Sequence, residues 1–157
     1  MTTAHGVPEI KQMNKAPLIK SVQTTDAQHL VVNWSTGETL DCDLTDTIKR
    51  HTAFAPLADP SVFAQVVVEE WGHGLDWPGG LDMGADRLYQ LCREQAGLLS
   101  PAAFDEWMKN NKLSLSTAAE ALGMTRRMIA HYRSGSRPIP KTVQLACIGW
   151  EALKKAA

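Results

Sequence analysis

The chain has 157 residues, 44% of them hydrophobic and 21% charged, with a formal net charge of −1. These proportions belong to an ordinary globular protein and exclude a disordered chain, a collagen-like repeat or a disulfide-stapled scaffold. No apolar run reaches the roughly 18 to 20 residues needed to cross a bilayer, and the opening Met1-Thr-Thr-Ala-His-Gly lacks the charged start and apolar stretch of a signal peptide. The expectation is a cytoplasmic protein with no membrane partner. Cys42, Cys92 and Cys147 are odd in number, widely spaced and free of any C-x-x-C pair, so they read as reduced filler.

The small net charge hides an asymmetry. Residues 1–97 carry seven Lys and Arg against thirteen Asp and Glu, whereas residues 98–157 carry nine against four. A basic module thus follows an acidic one, which points to an anionic partner for the second. We read two domains, an α+β domain over 1–96, ordered from about residue 17, and a helical domain over 97–157.

In the first domain, Pro17–Gln23 alternates apolar and polar residues and predicts a strand. His29–Trp34 and Glu38–Leu44 read as two more, joined by Ser35-Thr36-Gly37, a hairpin connection in which Gly37 takes positive φ. Leu40, Cys42 and Leu44 share the inner face of the last strand. Thr45–Arg50 and the stretch from Pro60 to Phe63 predict short helices, with Pro56 and Pro60 barring a longer one. Val66–Val68 and Leu75–Trp77 read as short strands around the Trp71-Gly72-His73-Gly74 turn. A helix over Ala85–Gln95 places Leu88, Leu91 and Cys92 at helical spacing with Tyr89 alongside.

The segments Pro17-Leu-Ile-Lys-Ser-Val, Phe54-Ala-Pro-Leu-Ala-Asp-Pro-Ser-Val-Phe and Leu75-Asp-Trp-Pro-Gly-Gly-Leu-Asp, with the hairpin between them, resemble a small bacterial domain family of unknown function over about residues 17–95. The resemblance implies no chemistry, only that such domains occur alone or fused to a DNA-binding module. The residues agree with that silence. Asp41, Asp43 and Asp46 form the densest carboxylate group, but they lack the spacing of a calcium loop. His29, His51 and His73 have no metal-ligand spacing, and Ser21, Ser35 and Ser61 lie in no nucleophile turn. We expect no metal, no cofactor and no enzyme.

The second domain begins at Ser100-Pro101, where serine caps and proline opens a helix running to about Asn111 with Phe104, Trp107 and Met108 on one face. Ser114 caps a helix over Leu115–Leu122 that closes at Gly123; Thr125 caps a third that runs to Arg133 or Ser134 and stops at Gly135. So short a turn between two helices requires small side chains at the crossing, which Ala118 and Ala119 supply, and Ile129 fills the inside of the third helix. The spacing Ala119, Gly123, Ile129 matches a helix-turn-helix, whose core would also take Leu122. A closing helix spans Pro140 to Lys155.

The run Leu115-Ser-Thr-Ala-Ala-Glu-Ala-Leu-Gly-Met-Thr-Arg-Arg-Met-Ile-Ala-His-Tyr-Arg-Ser-Gly resembles the phage-repressor-like, or XRE-type, DNA-binding family over about residues 98–157. The resemblance implies an all-α, lambda-repressor-like domain whose third helix contacts bases through Thr125, Arg126, Arg127, Ala130 and His131. Arginine can bridge guanine N7 and O6, while alanine offers only methyl contact. Arg133, Arg137 and Lys141 flank that face and suit phosphates. No Asp or Glu lies between Ala121 and Trp150.

The sequence therefore predicts a transcriptional regulator that binds double-stranded DNA by occupying a site, as a homodimer joined through the first domain or through Trp150 and Leu153. Two other readings stand beside it. In one, an antitoxin-like module uses the same helices to hold a protein partner. In the other, the first domain senses a small ligand around Trp71 and Trp77.

Overall fold

The computed structural model describes residues 17–157; the stretch before the expected start of order, residues 1–16, lies outside them. The chain is of mixed α+β class and forms two compact units that divide between Ala96 and Gly97. No helix among the described residues is long and apolar enough to cross a membrane.

The first unit holds two antiparallel sheets. Strands β1 (Ile19–Thr24), β2 (His29–Trp34) and β3 (Thr39–Asp43) form one in that order. Leu30, Val32 and Trp34 alternate inward on β2, and Leu40 and Cys42 do so on β3, with Leu30 opposite Cys42 and Val32 opposite Leu40. Such directly paired apolar side chains are the unit of sheet stability. The simple alternation expected of β1 is interrupted. Its register shifts between Ile19 and Ser21, so Ile19 pairs with Trp34 and Val22 with Val32, and a bulge brings both apolar residues to the inner face.

Helix α1 (Thr45–Arg50), a 3-10 segment (Thr52–Ala58) and helix α2 (Pro60–Phe63) follow, the last capped by Asp59, which accepts from the Ser61 N–H at 2.9 Å. The second sheet joins β4 (Val67–Val68), β5 (Gly74–Trp77) and β6 (Leu81–Gly84). Strand β6 is not among the strands expected from the sequence. It pairs with β5 across Pro78-Gly79-Gly80, where Gly79 and Gly80 both take positive φ, 86° and 78°. Helix α3 (Ala85–Gln95) seats Leu88 and Cys92 in the core. One polar cluster ties α3 to the hairpin: Glu38 accepts from Arg93 Nη1 at 2.6 Å and from the Tyr89 hydroxyl at 2.5 Å. Burial and the Glu38 charge together push the tyrosine hydroxyl's pKa upward.

The second unit is helical. It comprises α4 (Pro101–Asn110), α5 (Leu115–Leu122), α6 (Arg126–Ser134) and α7 (Lys141–Ala156). Its buried residues are Phe104, Met108, Ala118, Ala119, Ile129, Tyr132, Ile139, Val143 and Cys147. Each boundary has a chemical cause. Ser100 accepts from the Ala103 N–H at 3.1 Å, Ser114 and Thr117 form a reciprocal capping box, and Thr125 accepts from the Met128 N–H at 3.1 Å. Burial raises the Cys147 thiol pKa to about 11, so it stays protonated at neutral pH.

Candidate nucleic-acid interface

The α5 and α6 pair is set by its turn. Gly123 has φ 68°, and a Cβ there would meet nothing within 4 Å, so the need for glycine is conformational and not a matter of space. The small side chains of Ala118 and Ala119 are buried where α5 meets the core, and Ile129 is fully buried on α6, with Leu122 half-buried beside them. With Ile129 and Tyr132 inward, the outer side of α6 is left to the polar residues.

Arg126 and Arg127 occupy the first turn of α6 and are exposed, as are Arg137 and Lys141 beyond its end. Among the described residues none of these four has an ion-pair partner. The first turn of α6 contains no acidic residue, so two guanidinium groups face the positive end of the helix dipole. Cations there cost a helix roughly 0.3 to 1 kcal/mol each, and a bound anion would offset that cost. Thr125 stands at the helix start with its oxygen accepting the capping bond, which leaves its hydroxyl hydrogen free to donate. Ala130 is half-buried on the same side.

Two of the expected contact residues have partners within the unit. Arg133 Nε lies 3.3 Å from Asp105 of α4, which also pairs with Lys109 at 2.9 Å, so its charge is shared with the fold. His131 is half-buried and organises the loop after α6: its Nδ1 lies 2.8 Å from Ser136 Oγ, and its carbonyl accepts from the Gly135 N–H at 3.1 Å and the Ser134 hydroxyl at 3.2 Å. Helical spacing places Ser134 on the outer side of α6 but does not reveal Ser136, although S-G-S after a helix is a signal for such local bonding. Among the described residues no group of three or more His, Cys, Asp or Glu side chains gathers as a metal site would.

The two tryptophans do not share a pocket. Trp77 is core, donating from Nε1 to the Phe63 carbonyl at 3.1 Å, whereas Trp71 is 68% exposed and lines an open groove with Lys20, Ser35 and Glu70. On α7, Trp150 packs edge-on against Trp107 with ring centroids 5.7 Å apart, so it belongs to the unit's own packing.

Comparison with known proteins places the first unit in a defined class. Residues 19–94 match the family described as protein of unknown function (DUF2442). The crystal structure of Putative DNA Binding Protein NE0471 from Nitrosomonas europaea is similar over 87% of both chains, at 43% identity and a TM-score of 0.57. The chain belongs to the same family as NE0471. No curated protein matches it. These findings correct the resemblance read over 98–157: the matching family lies in the first unit, and nothing assigns the second to the phage-repressor-like, or XRE-type, family. The physical reason is that Ala119, Gly123 and Ile129 encode only a tight turn between two packed helices, a requirement that many unrelated helix pairs share.

Proposed function

We propose that the chain binds duplex DNA in a sequence-dependent manner through the exposed side of α6, and that it regulates transcription by occupying its site without chemistry. The observation that carries this reading is the set of unpaired cations Arg126, Arg127, Arg137 and Lys141 on and beside one helix, in the half of the chain with a basic excess. The name of NE0471, a 43% identical relative, supports the same direction. In this scheme α6 enters the major groove. Arg126 and Arg127 bridge guanine edges, Thr125, Ala130 and His131 lie along the bases, and Arg133, Arg137 and Lys141 hold phosphates.

The proposal includes a second copy of the chain. Leu145 and Ile148 are 55% and 57% exposed on the side of α7 opposite Val143 and Cys147, in line with Gly149 and Ala152. Two such helices packed antiparallel about a dyad between Ile148 and Gly149 set Leu145 against the small Ala152 and Ile148 against Gly149. That is a self-complementary surface of the kind twofold dimers use. Light scattering is expected to give a dimer for the natural chain and a monomer for Ile148→Glu.

The test of DNA binding is selection from random duplexes followed by anisotropy titration of the enriched sequence. Saturable binding to the enriched duplex, at least tenfold tighter than to a scrambled one, supports the reading. Equal affinity for both, or none, overturns it, and pull-down of a protein partner would then be the next experiment.

A further inference from the structure

We propose that the groove between α1 and α3 in the first unit binds a small phosphate-bearing ligand, with the phosphate held by Arg50, His51 and Arg87. The groove has a volume of about 720 Å³, inside the ordinary range for small-molecule sites. Leu91 is the one apolar residue in its lining, which is otherwise polar or charged. This site is separate from the α6 surface, and the proposal does not depend on DNA binding.

The two helices run antiparallel along the groove, and hydrogen bonds mark its two ends. Just before α1 begins, the Gln95 side chain takes the Asp43 N–H at 2.7 Å and donates to the Asp43 carbonyl at 2.8 Å. Just after α1 ends, Arg87 Nη2 donates to His51 Nε2 at 3.1 Å. Eight residues of helix separate Arg87 from Gln95, about 12 Å at 1.5 Å per residue. Arg50, His51 and Arg87 therefore gather at one end, and Asp43 at the other.

The cationic end lacks the counter-ions that its surroundings offer. Residues 1–97 hold nearly twice as many acids as bases, yet among the described residues no carboxylate pairs with the Arg50 or Arg87 guanidinium; Asp86 accepts the Arg87 backbone N–H at 2.7 Å instead. Asp46 precedes Arg50 by four residues, the spacing of a helical ion pair, and the pair is not made. Asp43 is occupied: one carboxyl oxygen accepts from the Thr45 N–H at 2.9 Å and hydroxyl at 2.5 Å, and the other lies 3.5 Å from His29. Arg87 instead spends a donor on an imidazole nitrogen. A phosphate dianion fits there, since two guanidinium groups offer charge-assisted bonds and His51, whose Nε2 accepts from Arg87, carries its own N–H on Nδ1. Asp46, in the first turn of α1 and so toward the far end, favours a ligand whose other end carries an amine or hydroxyl groups.

The test is calorimetric titration of the full chain with inorganic phosphate at constant ionic strength, the chloride concentration adjusted to hold it. The expected result is a single saturable site whose dissociation constant rises at least tenfold in Arg50→Gln and in Arg87→Gln. It stays unchanged in Arg126→Ala/Arg127→Ala, which removes the other exposed cation pair. Circular dichroism of each variant must match the natural chain, and Lys49→Gln, which removes an exposed cation of α1 outside the groove lining, serves as the folded control with unchanged binding. No saturable heat up to roughly 10 mM phosphate, an affinity too weak to matter in a cell, overturns the proposal. So does binding that survives both arginine variants, or that disappears only with Arg126 and Arg127.

Discussion

The two units treat their charges in opposite ways. In the first, the carboxylate of Glu38 is enclosed with Arg93 and Tyr89, and the side chains of Glu38 and Arg93 are only 21% and 10% exposed. In the second, Arg126, Arg127, Arg137 and Lys141 stand in solvent without partners among the described residues. An enclosed pair is tied to the fold that surrounds it, because each member takes up hydrogen bonds the other offers. An exposed unpaired cation contributes almost nothing to stability and is free to meet an outside anion. The difference separates residues that hold the protein together from residues that meet something else, and each side of it can be broken by mutation.

The largest effect on stability is expected from Glu38→Ala, which removes the carboxylate shared by the Arg93 guanidinium and the Tyr89 hydroxyl. Urea unfolding is expected to register a loss of about 2 kcal/mol, in the range of a hydrogen bond to a charged group, with duplex affinity unchanged. Arg126→Ala/Arg127→Ala is expected to do the reverse: duplex affinity falls at least about 30-fold, from roughly 1 to 3 kcal/mol for each lost bidentate contact, while the melting temperature holds or rises as two cations leave the positive helix end. A fall in both together would place the arginines in the fold and collapse the contrast. Gly123→Ala forces a side chain into positive φ and is expected to cost about 1 kcal/mol by urea unfolding of the second unit.

The smallest effect concerns pH. Hydrogen bonds from the Thr45 hydroxyl and N–H, with His29 nearby, hold the Asp43 carboxyl below the usual carboxylate range. A carboxyl depressed in the folded state adds stability that is fully present above its unfolded value and is lost as pH falls through its folded value. Asp43 is half exposed, so the contribution is under about 1 kcal/mol. Asp43→Asn is therefore expected to flatten the decline of stability between neutral pH and pH 3 slightly, as followed by thermal melts.

Much of the local structure was legible because it is written locally. Ser100, Ser114 and Thr125 accept the first free N–H groups of their helices, and Gly123 and Gly135 end two of them at positive φ, 68° and 85°. The hairpin glycine, Gly37, has φ 93°. What escaped depends on contacts across the chain. The bulge in β1 becomes visible only when Val22 is seen opposite Val32. Strand β6 is four residues long and ends on a glycine that pairs with Gly74, leaving too little pattern to read. The Glu38, Tyr89 and Arg93 cluster joins residues more than fifty positions apart, as does Gln95 with Asp43. For the candidate interface, helical spacing was enough to put Arg126 and Arg127 outside and Ile129 inside. It did not reveal that Arg133 shares Asp105 or that His131 serves the loop. Family membership was the least legible, since one tight turn between two helices has the same requirements wherever it occurs.

The most direct measurement is the salt dependence of duplex binding for the natural chain and for Arg137→Ala/Lys141→Ala. Each phosphate contact contributes a slope of about −0.9 in the logarithm of affinity against the logarithm of salt. The account predicts a steep negative slope for the natural chain, shallower by about 1.8 per bound copy in the double variant, with the order of preference among sequences retained. A slope that does not change, or one already near zero in the natural chain, would contradict the claim that these unpaired cations meet DNA.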